Sequence, residues 1–361
     1  MPVIRVKSSL REYEVHIGPV HDFVKHLADL DHKLFVVDEN VWHCHSDGIL
    51  SVLPKSETVT FPALEERKTL EGVQDIYEHL LERSAKRNLT LITIGGGILQ
   101  DVTGFVASTL YRGINWIYIP TTLLAQADSC IGSKTSLNYR GYKNLIGSFY
   151  PPSTVWIDTA FLATLQKQDF YSGLGEVVKL HIMKGEEKTR QLLSVYDSIC
   201  ALDMSPLQQA IRTSLEIKLE YITDDEFDLG RRNMLNYGHC IGHALESTSS
   251  FRIPHGQAVV AGMILANDIA QRRGTLSEQK RRFIETRLLM PSLNVRAHPA
   301  DLDPTAIIEA MSKDKKRTGN GLALVMLTES GEMVRVNDVQ AQEVRAALNE
   351  VAKSLCEGSH L

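Results

Sequence analysis

Little in this chain marks it for nucleic acid, a membrane or an oxidising compartment. Its 361 residues carry 39 Lys or Arg against 44 Asp or Glu, a net charge of −5, so it has no electrostatic footprint for nucleic acid. The longest apolar run, 258–266, is far too short to cross a bilayer and reads as a buried helix. The first residues, Met1-Pro-Val-Ile-Arg-Val-Lys7, lack the basic, then apolar, then small order of a signal peptide and alternate like a strand. The five cysteines (Cys44, Cys130, Cys200, Cys240 and Cys356) are odd in number and have no C-x-x-C spacing, which predicts free thiols and a cytoplasmic location. There is no internal repeat and no low-complexity tract. With 43% hydrophobic and 23% charged residues, the chain has the composition of a globular protein with room for a large core.

What is present is organised in two parts. Up to about residue 160, strand-like and helix-like segments alternate. Ile4–Val6 and Tyr13–Ile17 suggest a hairpin, followed by a helix around 20–30 and the buried strand Lys33–Asp38. A strand at 58–62 precedes the charged run Leu64-Glu-Glu-Arg-Lys68, which is expected to open a helix through Leu81. The strand Leu89–Ile94 runs straight into Gly95-Gly96-Gly97, and Ile98, Leu99, Val102, Phe105 and Val106 then recur at helical spacing. The strand Trp116–Ile119 ends at Pro120-Thr121-Thr122. Such alternation predicts a mainly parallel sheet covered on both faces. Beyond about residue 160 the periodicity is helical, apart from short strands at 322–327 and 333–336. The expected architecture is an N-terminal α/β, Rossmann-like domain (1–160) followed by an all-α domain (161–361).

Glycines between a strand and a helix let backbone amides approach a pyrophosphate at a helix N-terminus. Gly95–Gly97 sits in that context, although it is not G-x-G-x-x-G, and a plain turn is the simpler alternative. Asp38 ends an earlier strand, where a carboxylate can hold ribose hydroxyls, and Asp101 lies just beyond the glycines. Thr121 and Thr122 end another strand of parallel type, on the edge where such sheets bind ligands. Glu65 and Lys68 can contact the same cofactor or simply pair on a helix surface.

The densest chemistry lies in Arg232-Asn-Met-Leu-Asn236-Tyr-Gly-His239-Cys-Ile-Gly-His243-Ala-Leu-Glu246, followed by Pro254-His255-Gly256. His239 and His243, four apart, share a helix face, and His255 follows close behind, a set suited to a divalent transition metal. For each histidine alone, an incidental surface or core position is the alternative. Cys240, about 100° around the helix from His239, faces elsewhere. Gly175-Glu176-Val-Val-Lys179 puts a carboxylate and an ammonium on one helix face, as a metal ligand beside a cation or as an ordinary ion pair. Two histidines with one carboxylate and open positions is a catalytic metal arrangement. Asp128–Lys134 and Lys143–Gly147 crowd charge into a loop-like segment, and Arg112, Lys218, Arg232, Lys315 and Lys316 add cations suited to phosphate or carboxylate.

Taken together, Gly95–Asp101, Tyr111-Arg112-Gly113, Pro120–Leu124, Asp128–Lys134, Lys143–Gly147, Gly175–Lys179, Arg232–Glu246, His255-Gly256 and Asp314-Lys315-Lys316 resemble the 3-dehydroquinate synthase family of sugar-phosphate cyclases. The resemblance spans nearly the whole chain. It implies a phosphate-eliminating, carbon–oxygen lyase that uses NAD and a divalent metal, zinc or else cobalt, on a sugar acid phosphate. The implied reaction takes 3-deoxy-D-arabino-heptulosonate 7-phosphate to 3-dehydroquinate by transient oxidation, phosphate elimination, re-reduction and aldol closure, a step of the shikimate pathway.

By the same resemblance, the metal ligands are Glu176, His239 and His255, which replaces the pairing of His239 with His243 that spacing suggests. His243 becomes a proton-handling group, beside Lys179, Asp128 and Asn236 as catalytic residues. Arg112, Lys134, Asn144, Lys218, Arg232 and one of Lys315 and Lys316 bind substrate, with Arg112 reaching the partner's site in a homodimer. Asp38, Glu65, Lys68, Gly96, Gly97, Asp101, Thr121, Thr122, Lys143 and Thr164 hold NAD. The resemblance thus makes 1–160 the NAD-binding domain and 161–361 the metal- and substrate-binding domain.

Some positions depart from the family's usual pattern: Leu64, Gln100 and Ser133 stand where glycine is usual, and Gln257 where glutamate is, which predicts altered tuning around the metal. The rival readings are an aminodehydroquinate synthase, a sedoheptulose 7-phosphate cyclase of specialised metabolism, and a metal-dependent alcohol or glycerol dehydrogenase. Retention of Asn236, His243, Lys218 and Arg232 favours a substrate bearing both carboxylate and phosphate.

Overall fold

The computed structural model describes residues 3–312 and 321–357. By contact the chain divides into two compact units, one of 1–165 with 207–227 and one of 166–206 with 228–361.

The first unit is built on a seven-stranded sheet of order β1-β2-β9-β6-β5-β3-β4. In chain order its elements are β1 (Val3–Val6), β2 (Tyr13–Ile17), α1 (His21–Ala28), β3 (Lys33–Asp38), α2 (Glu39–His45), β4 (Thr58–Phe61), α3 (Leu70–Glu82), β5 (Thr90–Gly95), α4 (Gly97–Thr109) and β6 (Asn115–Pro120). They continue with β7 (Lys134–Tyr139), β8 (Tyr142–Phe149) and β9 (Thr154–Ile157). β1 pairs antiparallel with β2, as its alternation predicted, and every other pairing in the sheet is parallel. The central strands are apolar throughout because both faces are covered. Ile92 and Ile94 of β5 join Val20, Val24 and Leu27 in the core beside α1. Thr93, between them, turns the other way and hydrogen-bonds Thr103 of α4 at 2.8 Å. Asp38, Gly95 and Pro120 end neighbouring strands on one edge, the carboxyl edge where a parallel sheet offers a ligand site.

The segment read from sequence as loop-like is instead an antiparallel hairpin, β7 with β8. Its two-residue turn, Arg140-Gly141, has φ of +48° and +80°, the mirror-image geometry that matches strand twist. The charged run after Leu64 does not open the helix either. Glu65–Arg67 makes a single tight turn, and α3 starts only at Leu70, where the Thr69 hydroxyl caps Gly72 N–H at 3.3 Å.

The helical elements follow as α5 (Lys167–Met183), α6 (Glu186–Cys200), α7 (Met204–Asp224), α8 (His239–Thr248), α9 (His255–Arg272), α10 (Glu278–Ile284), α11 (Pro304–Ser312) and α12 (Ala341–Glu357), with the hairpin β10 (Leu322–Leu327) and β11 (Met333–Val339). Most of α7 groups with the first unit, so contact does not divide the chain at a single boundary near residue 160. Arg232 and Asn236 also sit outside the helix that carries His239. They lie on a short turn, Arg231–Asn236, which Gly238, at a φ of +79°, separates from α8. A side chain at Gly238 would be strained there, and its Cβ would meet the Val259 carbonyl oxygen at 2.5 Å. Among the described residues no helix is long and apolar enough to cross a membrane. None of the five cysteines, all among the described residues, is in a disulfide, as their spacing predicted.

Candidate active site

In the second unit three helices meet at glycines, and each glycine has a candidate ligand beside it. A Cβ on Gly256 would lie 1.8 Å from the Ser172 carbonyl oxygen, and one on Gly175 would lie 2.6 Å from the Gly256 carbonyl oxygen. Only bare backbone lets α5 and α9 cross this tightly, and the crossing sets Glu176 against His255. Gly238 and Gly242 give α8 the same close approach to α9, and His239 follows Gly238. The result is that Glu176 Oε1 stands 3.6 Å from both His239 Nε2 and His255 Nε2.

The Glu176 side chain is 1% exposed. Lys179, one helical turn on and equally buried, touches it as an ion pair, yet neither carboxylate oxygen has a hydrogen-bond donor in proper geometry among the described residues. The sequence alternative of an ordinary surface pair is therefore excluded. A buried carboxylate with unused lone pairs is costly to maintain, and a bound cation is the natural complement.

The imidazoles are prepared in the same sense. Burial holds His239 well below the usual histidine range, and the nearby charges of Lys179, His255 and His243 push the same way. His239 therefore stays neutral, with a lone pair to give. His255 is held above its ordinary value, because its hydrogen bond to Glu246 and the charges of Glu246 and Glu176 outweigh the downward effect of burial. His239, His243 and His255 offer ring nitrogens all within 4.8 Å of one another, so spacing and resemblance each pick out part of one cluster. His243 is the exposed member, its ring 5.4 Å from that of His239 and 5.6 Å from that of His255. A divalent metal fits these groups: Glu176, His239 and His255 could hold it, with His243 in the same cluster.

Arg232 is buried on the turn before α8, and Asn236 ends that turn. Lys315 and Lys316 lie outside the described residues. Cys240, next to His239, is absent from the histidine cluster, as helical geometry predicted.

In the first unit, residues assigned from sequence to two different ligands converge on one network. Lys68 is buried; its Nζ donates to Asn144 Oδ1 at 2.7 Å and pairs with Asp101 Oδ2 at 2.5 Å. Ser136 Oγ lies 2.9 Å from both Asp101 Oδ2 and Asn144 Oδ1 and closes the ring. Burial pushes the Asp101 carboxyl above its usual range, against the pull of Lys68. Glu65 faces elsewhere on the hairpin, accepting from Asn138 Nδ2 at 2.8 Å and pairing with Lys143 at 3.5 Å. Glu65 and Lys68 are thus neither a mutual pair nor a shared helix face. Sequence reading missed Ser136 and Asn138. The alternation along Lys134–Tyr139 is the signal that could have found them, since it puts both on the face opposite Leu137.

Gly96 opens α4, and a Cβ there would come within 2.9 Å of Thr122 Cγ2, so the glycine turn lies against the end of β6. Thr121 N–H donates to the Gly95 carbonyl at 3.0 Å, and Thr122 Oγ1 accepts from Ala125 N–H at 3.2 Å. Asp38 caps α2 through Asn40 N–H at 2.8 Å. Thr164 shares a 2.8 Å hydrogen bond with His45, which the sequence reading had not singled out. Asp128 stands in a wide helical turn, Ala125–Ser129, where the buried Lys218 reaches its carboxylate at 3.1 Å and its carbonyl at 2.6 Å. Lys134 opens β7, and Arg112 is exposed at a φ of +65°.

Comparison with known proteins gives the family. The family model for the 3-dehydroquinate synthase N-terminal region matches residues 58–172, and that for the C-terminal region matches 173–317. A 3-dehydroquinate synthase from Clostridium tetani is 39% identical over 317 residues, covering 87% of this chain and 84% of that protein. One from Dehalococcoides mccartyi is 36% identical over 367 residues, covering 97% of this chain and 100% of that one. The chain belongs to the 3-dehydroquinate synthase family.

Among solved structures, a 2-epi-5-epi-valiolone synthase from Streptomyces hygroscopicus with NAD+ and Zn2+ bound is similar at a TM-score of 0.85 and 28% identity, covering 96% of this chain and 99% of that one. Of the four departures noted from sequence, three stand in surroundings that the structure describes. Ser133 adopts a φ of +64°, a left-handed conformation that explains glycine as the usual residue there. Gln100 is buried and exchanges two 2.7 Å hydrogen bonds with Ser129, tying α4 to the Asp128 turn. Gln257 corrects an expectation, since its side chain is spent on backbone away from the metal cluster. Its amide donates to the Tyr171 and Ser292 carbonyls at 2.9 Å each and accepts from Asn294 N–H at 2.6 Å. A glutamate in that place could not make the two donations. Leu64 is extended and exposed, and nothing in the structure explains the change there.

Proposed function

We propose that this protein is a 3-dehydroquinate synthase, converting 3-deoxy-D-arabino-heptulosonate 7-phosphate to 3-dehydroquinate and phosphate. The single observation that carries the reading is the buried Glu176 carboxylate facing His239 and His255 with its oxygens unsatisfied. Glu176, His239 and His255 would hold a divalent metal, zinc by preference, which lowers the pKa of a substrate hydroxyl by Lewis acidity. The glycine turn with Asp38, Glu65, Lys68, Asp101, Thr121, Thr122, Lys143 and Thr164 would hold NAD, which would supply a hydride acceptor restored within one turnover.

The chain's own residues bind, orient and move protons. Lys134, Asn144, Lys218, Arg232 and one of Lys315 and Lys316 would be the donors for a substrate bearing both carboxylate and phosphate, where fixed positive charge stabilises the bound anionic groups and the departing phosphate. Asn236 and Asp128 orient the substrate, and Asp128 in turn is held by Lys218. His243, beside the ligand pair and open to solvent, takes and returns the proton of the hydroxyl being oxidised. Lys179 balances Glu176 and presents an ammonium to the same cluster. Arg112, exposed, is assigned to the site of a second copy in a cytoplasmic homodimer.

The deciding experiment incubates purified protein with NAD+, Zn2+ and the heptulosonate phosphate and follows inorganic phosphate. Phosphate release with no accumulation of NADH is the expected result. Net NADH would make the protein a dehydrogenase, and turnover of sedoheptulose 7-phosphate alone would make it a different cyclase.

A further inference from the structure

The two imidazoles that face Glu176 are held from behind by unequal partners. With its proton on Nδ1, His239 donates to the Tyr237 carbonyl at 3.2 Å, a neutral acceptor. His255 Nδ1 instead lies 3.1 Å from Glu246 Oε2, a carboxylate that is 6% exposed at the side chain. In both rings this leaves Nε2 as the lone-pair nitrogen, 3.6 Å from Glu176 Oε1.

We infer that Glu246 is a positioning residue for metal binding: it fixes the orientation and tautomer of His255 and makes that imidazole the stronger donor of the two. The inference rests on the reading of His255 as a metal ligand. An imidazole whose second nitrogen donates to a carboxylate is more basic than one donating to an amide carbonyl, and its ring cannot rotate without losing the bond. Glu246 is well placed for this task. It lies on α8 two turns beyond His239, so one helix carries both a ligand and the group that aims the other ligand. The end of that helix is fixed, because the Glu246 carbonyl accepts from Phe251 N–H at 2.8 Å and from Ser249 Oγ at 3.2 Å. The position is also costly for a carboxylate to occupy without purpose, since a buried charge needs a committed partner.

The test uses metal-free protein back-titrated with Zn2+ or Co2+ against a competing chelator, with the thermal midpoint of each metal-free variant measured alongside. Glu246→Gln keeps the shape and an acceptor oxygen but removes the charge. Its affinity for either metal should fall by about 10- to 100-fold, while the metal-free midpoint stays that of the parent. Glu246→Asp keeps the charge on a shorter arm and should bind with intermediate affinity. The Co2+ absorption bands should shift in both variants, which a purely structural carboxylate would not cause. His255→Ala separates the two levels of the argument. If it loses metal affinity while Glu246→Gln keeps the parent's affinity and cobalt spectrum, Glu246 has no positioning role. If His255→Ala binds both metals as tightly as the parent, His255 is no ligand and the role given to Glu246 falls with it.

Discussion

Gly256 and Ser172 are in backbone contact across the α5–α9 crossing, so close that a Cβ on Gly256 would stand 1.8 Å from the Ser172 carbonyl oxygen. The obstacle is main chain on both sides, so no rotamer change relieves it. Gly256→Ala must push α9 away from α5 and carry His255 away from Glu176. We expect a loss of about 3 kcal/mol or more of stability, at the upper end for overpacking, with metal affinity lost as well. Denaturant titration and zinc binding check this together. A variant that keeps the parent's zinc affinity would refute the view that this crossing sets the ligand geometry.

Lys179 and Glu176 form a buried pair in which the carboxylate has more binding capacity than the ammonium uses. Removing one partner of such a pair strands the other, at a cost of about 3–5 kcal/mol. Lys179→Met should therefore destabilise the metal-free protein by about that amount. Added zinc should restore most of it, because a cation again faces Glu176. Thermal melts with and without Zn2+ make the comparison. Equal losses in both conditions would count against Glu176 as a metal ligand.

His181 lies buried in α5, with Nδ1 at 2.8 Å from the Val177 carbonyl. Burial pushes its imidazole down to about 4, against the upward pull of that hydrogen bond and with help from the charge of Lys188. The folded value lies below the unfolded one, so the unfolded chain takes up the proton first as pH falls. The stability contribution is complete above about pH 6.5 and is lost progressively down to about pH 4. Between pH 7 and pH 5 this group alone should cost about 2 kcal/mol. His181→Asn, neutral throughout, should show a correspondingly shallower decline in denaturant midpoint. Parallel profiles for parent and variant would show that His181 does not control this pH range.

The parts of the molecule legible in the sequence were those governed by local rules. Lys33–Asp38 announced itself as a buried strand through the apolar run Leu34–Val37, and five of its six residues are buried. The glycine turn was visible because a strand ended and a helical period began on either side of it. His239 and His243 could be grouped from their spacing on one helix. The joining of Glu176 to His255 could not be read that way, since it depends on two helices crossing at Gly175 and Gly256, and sequence distance says nothing about crossings. The hairpin was obscured for a different reason. Its turn needs positive φ at Arg140 as well as Gly141, and only the glycine advertises that. The start of the helix that carries His239 was hidden as well, because only the left-handed φ of Gly238, which sequence spacing does not reveal, separates α8 from the turn of Arg232 and Asn236.

The ring of Lys68, Asp101, Ser136 and Asn144 likewise depends on elements that meet only in the folded chain, and it makes a further prediction. Lys68 Nζ is shared between the Asp101 carboxylate and the Asn144 carbonyl oxygen. Ser136 has a single hydroxyl proton for the two oxygens it touches, so Lys68 is the group that can serve both at once. Without Lys68, only the hydrogen bonds from Ser136 oppose the burial of Asp101, and its carboxyl is driven further up. Lys68→Met and Asp101→Asn should each destabilise the protein, but the double variant should lose far less than the sum. A coupling of about 2 kcal/mol is the expected size for a part-buried charged pair in direct contact. The same cycle measured on NAD affinity tests whether the ring acts on the cofactor. Coupling in stability with strict additivity in NAD affinity would limit Lys68 to holding the hairpin, whereas coupling in both would tie the dinucleotide turn to Asn144 on the substrate side.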